Sequence, residues 1–194
     1  MAYSTLRIMA SDSMLGYAVL GLLHQEARSG YDLRKIFAST PMGSFSDSPG
    51  AIYPALQRLE KQGWVRGRLQ PSSGRRRRRV FRPTASGRRA FRAWQTKAIS
   101  ADDIMHRVDE LMLRFAFMDE TAGPAQAARF LGNLTSELCS YLPSLRQYLK
   151  SHARQMPLSG RLALEKGVRD YEELLRWSRS ALAKYAKKKG GRRT

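Results

Sequence analysis

The side chains best suited to chemistry in this chain are hydrogen-bonding and cationic ones, and they cluster. Tyr53, Gln57, Arg58 and Lys61 recur at helical spacing beside the small residues Gly50 and Pro54, and further on five arginines stand in a row, Arg75, Arg76, Arg77, Arg78 and Arg79. A glutamine amide matches the edge of an adenine, and a tyrosine hydroxyl donates to a phosphate oxygen. Tyr53 also admits a blander reading as half-buried packing. Adjacent like charges repel one another and gain little unless an anion compensates them, so the arginine run reads better as an anion contact than as a solvated loop. Arginines of this kind read the width and potential of a minor groove, adding affinity and salt dependence more than base discrimination. The chemistry on offer is recognition of a polyanion.

Charge is distributed to match. Between Pro49 and Ser100 there are 14 Lys and Arg against the single acid Glu60, whereas Ala101 to Thr194 carries 17 basic and 11 acidic side chains. Most of the formal +19 therefore sits in one short stretch. Duplex nucleic acid rewards such concentration, because neutralised phosphates release their condensed counterions. The mixed charges of the second half are those of solvated helix faces.

Other classes find little support. No nucleophile and base pair, metal-ligand cluster or phosphate-binding glycine loop is present, so no catalytic residue, metal or cofactor is expected. Cys139 is the only cysteine, which forbids an intramolecular disulfide and fits a reducing cytoplasm; beside an apolar helix seam it reads as core. His24, His106 and His152 have no carboxylate or cysteine at ligand spacing and read as surface or helix-end residues. Met1 to Asp12 lacks an apolar segment with a small-residue cleavage site, and no stretch of about 20 apolar residues exists, so neither a signal peptide nor a spanning helix is expected.

The elements that must position the cationic residues follow from periodicity. Ser13 precedes a first helix carrying Met14, Leu15, Ala18, Val19, Leu22 and Leu23. Ser29 with Asp32 has the form of a capping box for a second, with Tyr31, Leu33, Ile36 and Phe37. Pro41 to Asp47 is a loop. Ser48 caps a third helix with Pro49 in its first turn, and Ile52, Ala55, Leu56, Leu59 and Gly63 form its core arc. Pro54, inside that helix without an N–H, predicts a bend or loosened first turns. Trp64 to Leu69 and Val80 to Arg82 are short strands around a turn at Pro71 to Gly74, and Thr84 to Lys97 is a fourth helix. This order is that of a winged helix-turn-helix, whose third helix carries Gly50, Tyr53, Pro54, Gln57, Arg58 and Lys61 on the arc opposite its core as a candidate reader of a groove in double-stranded DNA, with the arginine run in the hairpin beside it.

The second half is all helix. Ile104, Val108, Leu111, Phe115 and Met118 mark one amphipathic stretch. Ala127, Leu131, Leu134, Leu138, Tyr141, Leu145 and Tyr148 repeat at 4,3 spacing, as do Leu164, Val168, Tyr171, Leu175, Ser178, Leu182 and Tyr185, which is the seam of paired helices. Pro143 should kink the first, and Met156 to Gly160 supplies the turn. Two such seams make self-association a natural way to bury both. Trp94, Phe115, Phe117, Phe130 and Trp177 are explained by core packing at least as well as by an effector pocket. The fold expected is mainly α: a winged-helix domain with a two-stranded wing over 13–100, a helical dimerisation domain over 101–188 and a basic tail over 189–194.

The strings Leu15-Gly16, Gly21-Leu22-Leu23, Ser29-Gly30-Tyr31-Asp32-Leu33, Ser48-Pro49-Gly50-Ala51-Ile52-Tyr53-Pro54-Ala55-Leu56 and Leu59-Glu60-Lys61-Gln62-Gly63 closely resemble the PadR family of bacterial transcriptional regulators. Gly74-Arg75, Val80-Phe81-Arg82, Thr84, Gly87 and Arg88 fit as well. The resemblance implies a homodimeric repressor on a palindromic operator, in which the residues around the SPGxIYP string and the wing face DNA, with release by a small-molecule effector in prospect. Two positions depart from the family pattern: five arginines follow Gly74 where many members have Gly-Arg-Pro and two basic residues, and Phe45 stands where tryptophan is common. A non-specific nucleoid or RNA-binding protein is the competing reading, and sequence preference separates the two.

Overall fold

The computed structural model describes residues 2–46, 49–70 and 78–190, with side chains described for 14–46, 50–70 and 78–187. Ser48 and Arg75, Arg76 and Arg77 lie outside the described residues. The chain divides into two units, Met1–Gln95 and Thr96–Thr194.

In the first unit, α1 spans Ala2–Gln25, starting well before the expected Ser13. Its apolar positions Leu15, Ala18, Val19, Leu22 and Leu23 are buried as the period requires. A two-residue strand, β1 (Arg28–Ser29), leads into α2 (Gly30–Ser39). Ser29 caps α2 reciprocally with Asp32: the Asp32 N–H donates to Ser29 Oγ, and the Ser29 N–H donates to Asp32 Oδ2. Leu33 and Phe37 turn inward, whereas Tyr31 is exposed. The segment expected as loop holds a 3-10 turn, Pro41–Phe45, capped by the Thr40 hydroxyl.

The third helix differs from expectation in a way its prolines explain. Pro49–Ala51 forms a 3-10 turn and the α-helix proper, α3, is Ile52–Lys61. Had the α-helix begun at Pro49, Pro54 would have fallen in its interior and cost a hydrogen bond; starting at Ile52 puts it third, where no intrahelical N–H is needed. The loosened entrance expected from Pro54 is therefore this 3-10 turn. Ile52, Ala55, Leu56 and Leu59 are buried, each full Leu or Ile burial contributing about 1.5–3 kcal/mol. Gly63, placed by the periodicity on the same inward arc, is instead exposed and ends the helix at φ +69°, a left-handed conformation that favours glycine.

The wing follows as β2 (Val65–Gln70) and β3 (Arg78–Pro83), antiparallel from Val65 opposite Pro83 to Gln70 opposite Arg78. β1 adds to the far side of β3, giving a three-stranded sheet in the order β1-β3-β2 rather than two strands alone. The last helix of the unit, α4, is Ala85–Thr96. Its Trp94 stacks on Tyr17 of α1 with ring centroids 4.1 Å apart, and Phe91 lies against His24. Burial lowers the pKa of that histidine, opposed by its contact with the Leu20 carbonyl and reinforced by Arg88.

In the second unit the expected single stretch after Ser100 is three short helices, α5 (Ala101–His106), α6 (Val108–Ala116) and α7 (Met118–Thr121). The breaks fall at Arg107 and Phe117, whose backbone leaves helical geometry. Two long helices follow, α8 (Pro124–His152) and α9 (Leu158–Gly190). Helix α8 runs unbroken past Pro143, which is exposed. The two seams meet in the same chain: Ala127, Leu131, Leu134 and Leu138 are buried from α8 and Val168 and Ser178 from α9, with Thr135 and Ser178 hydroxyls 3.0 Å apart. Phe115 stacks on Phe130 and meets Trp177 edge-on, so these aromatics are packing residues. Cys139, expected in the core, is exposed and accepts from Arg179 Nη2. A buried cation was not foreseen: Arg114, 2% exposed, donates to the Lys97 carbonyl and lies over the Phe130 ring.

Candidate nucleic-acid interface

Helix α3 keeps Tyr53, Pro54, Gln57, Arg58 and Lys61 on its exposed side, with Gly50 exposed in the 3-10 turn before it. Tyr53 and Gln57 are four residues apart and so share one face. Tyr53 serves both readings of its role. It is 49% exposed, yet a Cβ placed on Gly30 would come within 2.7 Å of its Cε1, so one ring edge rests on the start of α2. The absence of a side chain at Gly30 is what lets the ring lie there.

Tyr53 and Gln57 open onto a groove of about 540 Å³ whose other wall is Arg78, Arg79 and Phe81 of the wing. Two of the five arginines are therefore strand residues rather than loop residues, and each has a carboxylate. Arg79 Nη2 donates to both oxygens of Glu60, at 2.8 and 2.9 Å, and its guanidinium lies over Phe81. The Gly67 N–H donates to the same Glu60 at 3.1 Å, so one side chain of α3 binds both strands of the wing. Arg78 Nη2 donates to Asp32 Oδ1 at 2.6 Å and to Ser29 Oγ at 3.0 Å, tying the wing to the cap of α2. Burial pushes the Asp32 carboxyl up, but hydrogen bonds from the Ser29 hydroxyl and N–H and from Arg78 outweigh it and hold the group below the usual value of 3.8.

Glu60 and Asp32 were not foreseen as site residues. Glu60 was visible as the lone acid in a basic stretch and as part of the Leu59 to Gly63 string, with no role attached to it; the partner of Arg78 stands 46 residues away on another helix, and nothing in local periodicity joins them. The structure thus brings together Tyr53, Gln57, Arg78 and Arg79. Arg58 and Lys61 continue along the exposed side of α3, where both occupy the last turn.

The seam residues of the second unit pack largely within the chain, as an antiparallel helical pair. Leu131, Leu134, Leu138 and Val168 are consumed between α8, α9 and the short helices. Tyr141, Tyr171 and Leu175 are partly buried against the same core, and Tyr171 donates to the Ile104 carbonyl. Leu145, Leu164 and Leu182 keep partial exposure. A second copy of the chain is not needed to bury the innermost positions, because the hairpin satisfies them itself. Among the described residues no group of three or more His, Cys, Asp or Glu is placed to hold a metal, and no helix is long and apolar enough to cross a membrane.

Residues 19–93 match the model of the transcriptional regulator PadR-like family. The negative transcriptional regulator PadR of Bacillus subtilis is 24% identical over 177 residues, spanning 88% of this chain and 96% of that one. Among solved structures, B. subtilis PadR in complex with operator DNA is 25% identical and covers 88% of this chain and 97% of its own, with a TM-score of 0.42. The same protein in complex with p-coumaric acid is 23% identical over 89% of this chain and 99% of its own, with a TM-score of 0.41. Over residues 19–93 the winged-helix unit is thus similar to the PadR-like family of transcriptional regulators.

Proposed function

We propose that the chain is a sequence-specific repressor that acts as a homodimer on a palindromic operator in the cytoplasm and is released by a small-molecule effector. In this reading Tyr53 and Gln57 meet base edges or adjacent phosphates in a major groove. Ser48, Pro49, Gly50 and Pro54 let the backbone approach the duplex, Arg58 and Lys61 meet phosphates, and Arg75 to Arg79 carry the wing to phosphates or the minor groove. The observation that carries the proposal is the shared groove: the exposed face of α3 and the base of a polyarginine hairpin open on the same side of one unit. The name of the B. subtilis relative, a negative regulator, supports repression over activation.

Sequence selection from a random duplex pool tests the reading. A repressor should recover a palindrome and bind it at least ~1,000-fold more tightly than random duplex, and Tyr53→Ala with Gln57→Ala should lower that ratio. A ratio near one for the intact protein would favour the nucleoid-protein alternative instead.

A further inference from the structure

Side chains alternate along the wing. Val65, Phe81 and Pro83 are buried on one side, while Arg66, Arg68 and Arg82 are all exposed and fall on the other by the period of two. Arg66 stands directly opposite Arg82, and Arg68, opposite Val80, is its diagonal neighbour. Like charges directly opposed across antiparallel strands repel, so the arrangement is unfavourable unless something negative lies over it. Among the described residues none of the three has a carboxylate within ion-pair distance, in contrast to Arg78 and Arg79. Together with Gln70 and Val80 they line an open groove of about 550 Å³ that ends at Thr84 and Ala85, where the positive end of α4 adds to the field.

A simpler explanation covers only part of this. Charges on an edge strand block unwanted pairing, and β2 is such an edge, which accounts for Arg66 and Arg68. Arg82 is on the central strand, directly after the Val80 and Phe81 that β1 pairs, and it is placed opposite another arginine.

We propose that this outer face of the wing is a second phosphate-binding surface, holding duplex DNA backbone beyond the segment that faces α3, so that the hairpin is gripped on both sides. The inference rests on the DNA-binding reading above. The test uses the full chain carrying Arg66→Gln, Arg68→Gln and Arg82→Gln together, titrated with random-sequence duplex over a salt series. The slope of log K against log salt should become shallower by about 0.9 for each lost phosphate contact, hence by up to about 2.7 for three. Preference for the selected palindrome should be unchanged, and the melting temperature without DNA should not fall, because repulsion has been relieved. Arg82→Gln alone should flatten the slope by about 0.9 and Arg82→Lys should restore it, which keeps the test informative if the triple variant folds poorly. An unchanged slope in a folded variant overturns the proposal while leaving the α3 reading intact. Loss of binding to a polyglutamate peptide but not to duplex overturns it in favour of an acidic protein partner. If the intact chain binds no duplex at all, this proposal and the functional reading fall together.

Discussion

Glu60 shows that the candidate interface is held in shape by a residue outside its exposed face. Its carboxylate holds Arg79 and the Gly67 amide at once, so it positions the wing without facing outward like Tyr53 or Gln57. An exposed ion pair is worth about 0–1 kcal/mol, so Glu60→Ala should barely lower the melting temperature. The Gly67 amide, however, should exchange its hydrogen markedly faster, and unchanged protection by NMR exchange would show that Glu60 is not its partner. Gly67→Ala should cost more, on the order of 1–3 kcal/mol by denaturant unfolding, because the new Cβ would lie 2.9 Å from the Phe81 ring and 2.5 Å from Arg79 Nε. At Tyr185, burial first and then donation to Asp119 Oδ1 push the hydroxyl up to about 12, so an ultraviolet titration should show a tyrosine step near that pH that Tyr185→Phe removes. Residue types and helical spacing were enough to place Tyr53 and Gln57 together. The destinations of Arg78 and Arg79 were not legible, because an ion pair across separate elements leaves no trace in local pattern.

At the level of elements, two serine caps organise the helix starts, and both depend on ionised carboxylates. Ser100 and Asp103 repeat at α5 the box that Ser29 and Asp32 make at α2, and Asp103 is likewise held below 3.8, its burial outweighed by Ser100 and then by Arg107 and Lys97. A carboxyl whose folded pKa is depressed contributes stability that is complete well above pH 3.8 and is lost as the pH falls through the folded value. The protein should therefore melt at gently lower temperatures as the pH falls below about 6.5, where His24 takes up its proton in the unfolded chain before the folded one, and at steeply lower temperatures below about pH 4, where the two carboxyls protonate. Asp32→Asn with Asp103→Asn should flatten that acid limb. Ser100→Ala should cost about 1 kcal/mol in denaturant unfolding. Strong periodicity made α1 to α4 and the two long helices readable. The short pieces were not: β1 has two residues, too few to show alternation, and the breaks at Arg107 and Phe117 interrupt an apolar pattern that would equally suit one continuous helix.

Across the whole molecule, labour is divided by charge and by apolar pattern. The cationic stretch belongs to the first unit, and the second has a core of its own in which α8 and α9 pair in an antiparallel hairpin reinforced by an Arg146–Glu172 ion pair. Self-pairing of the seams was a packing question that the 4,3 repeat leaves open, since the same repeat suits two helices of one chain or of two. Large apolar side chains still stand in the open near the turn of the hairpin, with Tyr148, Leu158 and Leu162 each more than half exposed. If a homodimer forms through this region, light scattering should give twice the 22.0 kDa chain mass, and Leu158→Glu with Leu162→Glu should halve it; a wild-type mass of one chain would remove the dimer from the proposal. One small junction sets how motion travels within the first unit. The Gly63 carbonyl at the end of α3 receives hydrogen bonds from both Thr84 and Ser86, Thr84 in turn accepts from the Gly87 N–H, and any side chain at Gly87 would collide with the Trp64 carbonyl. Helices α3 and α4 are thus riveted end to end, so that a displacement at the start of α4 is carried into α3 as rigid movement rather than absorbed as slack between them.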